Sequence, residues 1–127
     1  MRLRTPLIAG AALLVIALAG ASPALASFGA IAYDQTTGKF GVAWSEPTQQ
    51  VANEKALRDC GGSKNCHAFP IPPGQCGALA VSSEIKESSA WGGAYRDAKA
   101  EAEAAATTDC KKHTAGQCKV VASECNR

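Results

Sequence analysis

From residue 29 onward the chain is written twice. Gly29-Ala30-Ile31-Ala32 returns as Gly77-Ala78-Leu79-Ala80, and Phe40-Gly41-Val42-Ala43-Trp44 is echoed by Trp91-Gly92-Gly93-Ala94-Tyr95. Ala52, Ala56, Asp59 and Cys60 are matched by Ala102, Ala106, Asp109 and Cys110, with the offset staying between 48 and 51 residues. Whatever one unit folds into, the molecule contains it twice. Repeat one runs over about 28–75 and repeat two over about 76–125, together forming a single domain over 27–127.

Each repeat carries three cysteines, so that Cys60, Cys66 and Cys76 correspond to Cys110, Cys118 and Cys125. An even number of cysteines in a small exported chain reads as a disulfide framework. Zinc is the competing reading, with His67 and His113 nearby. The C-x5-C and C-x7-C spacings, however, are not the short knuckles of structural zinc, so no metal and no cofactor are expected. Six cysteines allow about 15 pairings, of which about seven survive exchange of the two halves. Among these the favoured set is Cys60 with Cys66, Cys110 with Cys118, and Cys76 with Cys125, the last taken to join the halves.

Export is read from the first 26 residues. Arg2 and Arg4 precede an uncharged apolar run from Leu7 to Gly20, followed by Pro23 and Ala24-Leu25-Ala26, the pattern of a cleaved secretory signal. The apolar run is short of the roughly 20 residues that span a bilayer, and no membrane anchor is expected after cleavage. The full chain has 13 Lys+Arg against 11 Asp+Glu, and Arg2 and Arg4 supply that whole excess. A neutral mature chain lacks the basic field that nucleic acid demands, so nucleic acid is not an expected partner.

Within each unit the order of elements can be read. Residues 28–33 and 39–44 are apolar, aromatic runs separated by a turn containing Gly38, which predicts a hairpin. Thr48 is placed to cap a helix running to Cys60, stopped by Gly61-Gly62, and residues 66–71 form a third strand. The second unit repeats this with strands at 76–81, 90–95 and 117–125 and an alanine-rich helix over 97–110. The expected fold is α+β, two ββαβ repeats related by a pseudo-two-fold and stapled by disulfides. Small side chains leave such a core thin, and three staples compensate.

Gly29 to Tyr33, Gly41 to Trp44, Pro47-Thr48, Ala52 to Cys60, Cys66 and Cys76 to Ala80, repeated once, resemble the exported bacterial domain-of-unknown-function family 4189. The resemblance covers essentially the whole mature chain. It implies secretion and the duplicated fold, and it brings no active site with it.

No residue set stands out as catalytic, and the protein is not expected to be an enzyme. His67 and His113 are the only histidines, and each reads as a solvated loop residue. The carboxylate pairs, Glu84 with Glu87 and Glu101 with Glu103, read as solvated faces. Trp44 and Trp91, at roughly matching places in the two halves, read as core, with a ligand platform as the alternative. One departure from the repeat points to contact: Phe69-Pro70-Ile71-Pro72-Pro73-Gly74 makes the first unit longer, and its prolines should force a projecting, stiffened loop. The expected function is a secreted, non-catalytic interaction module binding an unidentified protein or cell-envelope component through the Pro70 to Gly74 loop and neighbouring strand edges. Two alternatives stand beside it, an inhibitor or immunity-like protein against an extracellular hydrolase and a small extracellular hydrolase using a histidine.

Overall fold

The structure is a computed structural model that describes residues 27–83 and 90–126. The signal pattern and the Glu84/Glu87 pair lie outside the described residues. Eight elements follow one another: β1 (Phe28–Asp34), β2 (Phe40–Glu46), α1 (Gln49–Asp59), β3 (Cys66–Ile71), β4 (Cys76–Ser82), β5 (Trp91–Arg96), α2 (Lys99–Lys111) and β6 (Cys118–Cys125). Two antiparallel sheets result, ordered β2-β1-β3 and β5-β4-β6. The two units thus share one ββαβ topology, with the first strand of each at the centre of its sheet.

Local chemistry sets the boundaries. Thr48 accepts the Val51 N–H through its side chain and opens α1, whereas Ala98 opens α2 with no side-chain cap. In the β1–β2 turn the Asp34 carboxylate accepts from the Thr36 N–H (2.8 Å), the Thr36 hydroxyl (2.5 Å) and the Thr37 N–H (3.3 Å). The Thr36 hydroxyl foremost, with these amides, holds the Asp34 carboxyl below its usual range. A depressed folded-state value means that the linked stability is present above the unfolded pKa, near 4, and is lost as pH falls through the folded value. Asp34→Asn is therefore expected to lower the urea midpoint at pH 7 and to converge on the parent in strong acid. An equal loss at both pH values would show that the charge is not what stabilises the turn.

Alternation along β1 and β4 builds three interior layers. Ala30 and Ala32 face α1 and meet Ala43, Ala52, Ala56, Cys60 and Cys66. Ala78 and Ala80 face α2 and meet Ala102, Ala106 and Cys110. The intervening Ile31, Tyr33 and Leu79 face the other sheet and, with Ile71, build a third layer against Val42, Trp44, Phe69, Val81, Trp91 and Val121. Both faces of the central strands are covered, which is why these strands read as unbroken apolar runs. The order of layers is helix, sheet, sheet, helix, and the bulk that the alanines cannot supply sits between the sheets.

Close helix approach is bought with two glycines. A methyl group at Gly41 would stand 2.1 Å from the Ala56 carbonyl oxygen, and one at Gly92 would stand 2.2 Å from that of Ala106. These are the same place in the two repeats.

The three disulfides are Cys60–Cys66, Cys110–Cys118 and Cys76–Cys125. Cys60–Cys66 and Cys110–Cys118 each tie a helix end to the first residue of the strand that follows. Cys76–Cys125 does not join the halves, contrary to the expectation from the sequence. Cys76 opens β4 and is the register partner of Cys125 on β6, so this bond closes the second sheet on itself.

Candidate functional site

The proline segment is not a projecting loop. Phe69, Pro70 and Ile71 continue β3, opposite Ile31, Ala30 and Gly29 of β1. Pro70 is tolerated because β3 is an edge strand, where no ladder hydrogen bond is required on the outer side. Ile71 is fully buried and Phe69 half-buried in the layer between the sheets. Only Pro72, Pro73 and Gly74 make the turn.

That turn is fastened by Asn126, a residue the sequence did not single out. Its side-chain amide donates to the Ile71 carbonyl (2.8 Å), and its side-chain oxygen accepts the Ser45 N–H (3.1 Å). Its backbone N–H donates to the Gln75 carbonyl, and its own carbonyl accepts from the Gly74 N–H. Asn126 is 1% exposed and so ties the end of β2, where Ser45 holds φ 58°, to the connection between the repeats. Asn126→Ala leaves a buried donor and a buried acceptor without partners and is expected to cost about 2–4 kcal/mol. Denaturant unfolding reads this, and a loss below about 0.5 kcal/mol would mean that water replaces the amide without penalty.

The other candidates scatter. His67 lies exposed on β3, while His113 lies exposed beyond α2, with its Nε2 4.0 Å from the Asp109 carboxylate. That separation is too long for a hydrogen bond. Glu103 accepts from the Ser123 hydroxyl at 2.8 Å, and Glu101 points to solvent. All six cysteines are bonded. Among the described residues no group of three or more His, Cys, Asp or Glu side chains is placed to hold a metal.

Trp44 and Trp91 are not equivalent. By the repeat, Trp44 matches Tyr95 and Trp91 matches Phe40. Trp91 packs against Phe69 in a stacked arrangement (6.2 Å, 22°) and against Tyr33 in a tilted one (5.7 Å, 56°). Burial, reinforced by the adjacent Asp34 charge, raises the Tyr33 phenol above its usual range and keeps it neutral.

Around Trp91 lies a cavity of about 650 Å³. Phe69, Trp91, Gly93 and Tyr95 line its inner side, and Ala94 and Arg96 its helix side. Ala105, Thr108 and Asp109 on one face of α2, with the C-cap Lys112, complete it. A hollow of about 320 Å³ adjoins it, lined by Gln35, Trp91, Asp109 and His113.

Because successive strand residues point to opposite faces, a cavity lined by odd and even residues of β5 alike wraps the edge of that strand. Among the described residues no strand pairs with β5 on the side away from β4. The Ser82 N–H donates to the Ala90 carbonyl, and with the β4–β5 register this phases the ladder. The backbone groups of Trp91, Gly93 and Tyr95 accordingly point outward into the groove. Arg96 donates to the outward Tyr95 carbonyl at 2.7 Å. The corresponding place in the first repeat is different. There Lys55 bridges to Glu46 at 2.8 Å, and Ser45, the counterpart of Arg96, gives its N–H to Asn126.

The family described as domain of unknown function (DUF4189) matches residues 28–125. The chain is also similar to the NMR structure of Rv1813c from Mycobacterium tuberculosis, at 28% identity and a TM-score of 0.53, over 82% of this chain and 78% of that one. No curated protein matches.

Proposed function

Because the chain belongs to the DUF4189 family, whose description assigns no activity, we propose from its own geometry that it is a non-catalytic interaction module. It accepts an extended segment of a partner protein along the edge of β5. The observation that carries this reading is the groove wrapped around an unpaired strand edge, with outward backbone groups at Trp91, Gly93 and Tyr95. An added strand gains main-chain hydrogen bonds from that edge, and alternate side chains find pockets on either side. Phe69 and Trp91 floor one side, and the small residues Ala94 and Ala105 leave room on the other. The Trp91 ring already packs on Phe69 and Tyr33, so the groove offers a strand edge more than a free aromatic platform, which favours an extended chain as occupant.

Three disulfides among the described residues support a compartment outside the cytoplasm. With the Arg2-to-Ala26 pattern, we place the working protein in the extracellular or envelope space. A partner met there is an exported protein or an envelope protein.

The test uses peptides selected by display on the oxidised protein. They are expected to protect the Trp91 and Gly93 amides from hydrogen exchange and to bind at least tenfold more weakly to Tyr95→Ala, an exposed aromatic at the rim. Protection confined to another face, or no selectable peptide, would overturn the proposal.

A further inference from the structure

We infer that the β5 edge is self-complementary and that a second copy of this chain occupies it, giving a two-fold dimer that hides the groove. This rests on β5 being a strand acceptor, as proposed above. The register argument is direct. Trp91, Gly93 and Tyr95 have outward backbone groups, and antiparallel pairing of β5 with itself about Gly93 sets Gly93 against its own copy. The same register sets Tyr95 against the partner's Trp91. Both sets of outward groups then meet as hydrogen-bonded pairs, and an aromatic pair forms on each side of the axis. Two three-stranded sheets become one of six strands.

The charges match under the same operation. Arg96 lies at the end of β5, and its side chain faces the α2 side of the sheet. Asp109 lies at the opposite end of the groove, because α2 runs back along β5 until Cys110 meets Ala90. An antiparallel dimer therefore brings Arg96 to the partner's Asp109, and it does so twice. The α2 helices also run antiparallel, carrying the acidic first turn at Glu101 toward the partner's Lys112 in the basic end. Among the described residues neither Arg96 nor Lys112 has an ion-pair partner within its own chain. Arg96 covers the Tyr95 carbonyl in the single chain. In the dimer that carbonyl takes the N–H of the partner's Trp91, and the guanidinium is released for the carboxylate.

Sedimentation equilibrium and light scattering on the oxidised, exported protein from micromolar to millimolar concentration test this. A dimer is expected, with the Trp91 and Gly93 amides protected from exchange as concentration rises. Arg96→Asp and Asp109→Arg should each weaken association by roughly tenfold or more, and the two together should restore it. That rescue is one a folding defect would not produce. A protein that stays monomeric to millimolar concentration, or a dimer whose protected amides lie elsewhere, overturns the inference. Display-selected peptides added to the same samples separate the two proposals. Peptide bound at β5 of an always-monomeric chain overturns the dimer alone. A dimer through β5 with no peptide able to compete overturns the partner-segment reading alone.

Discussion

Gly92→Ala is expected to be among the most damaging single substitutions in the molecule, lowering stability by about 3 kcal/mol or more. The added methyl group would stand 2.2 Å from the Ala106 carbonyl oxygen and 2.3 Å from the Cys110 nitrogen. Both are helix backbone atoms and cannot rotate aside, so α2 must lift from β5. The Cys110–Cys118 bond opposes that movement at the end of the helix. For a domain of this size the fall in Tm is roughly 15 °C. Gly41→Ala should behave alike, since its methyl group would meet the Ala56 oxygen at 2.1 Å and the Cys60 nitrogen at 2.5 Å. Gly38→Ala is the control: it carries φ 76° with nothing within 4 Å of the added carbon, and only the left-handed backbone costs it, about 1–2 kcal/mol. Calorimetry on the three variants decides. If Gly92→Ala loses no more than Gly38→Ala, the helix is not held against the strand as described.

Removing the Cys76–Cys125 bond by a double serine substitution is expected to cost about 4 kcal/mol, against about 2–2.5 for either short-loop bond. Chain entropy sets the order, because 49 residues separate this pair and 6 and 8 separate the others. The loss is a large part of the roughly 5–15 kcal/mol that holds a domain folded. The location adds to it. Cys125 precedes Asn126, and fraying of β6 there would release the ties to Ser45, Ile71 and Gln75. Urea unfolding of the three double variants gives the ranking. A Cys76/Cys125 variant as stable as the Cys60/Cys66 one would mean that the inter-sheet core alone fixes the end of β6.

The repeat was the most informative reading of the sequence, and the reason is physical. The unit must bury the same faces in each copy, so Ala52, Ala56 and Cys60 recur as Ala102, Ala106 and Cys110 on the buried side of each helix. Element order and type followed from hairpin spacing, the Thr48 cap and the glycines after Cys60. Prolines suggest a segment that leaves the sheet, but Pro70 sits on an edge strand, which has no ladder bond there to lose. Phe69 and Ile71 belong to the apolar run over 66–71, and it is this strand pattern, not the prolines, that agrees with their place between the sheets. The Trp44 and Trp91 correspondence failed because the echo aligns Trp91 with Phe40, a shift of the aromatic to the other end of the strand.

Nothing in the linear chain marks Asn126 or the β5 groove. An asparagine near the end of a sequence carries no pattern, and its importance arises from 81 residues of separation between it and Ser45. An edge becomes an edge only when the order β5-β4-β6 is set. The spacing of Ala105, Thr108 and Asp109 does mark one helix face, but what that face borders depends on how α2 folds back.

Local and periodic information was therefore written in the chain: the duplicated ββαβ unit, the cysteine correspondences, the cap and the turns all rest on neighbours within a few residues or on exact repetition. Long-range packing supplied the rest. It turned Cys76–Cys125 into a staple within one sheet, placed the bulky core between the sheets, and left the edge of β5 facing a groove. Those outcomes depend on which surfaces meet across the fold, a choice made by burial and shape between residues far apart in the chain.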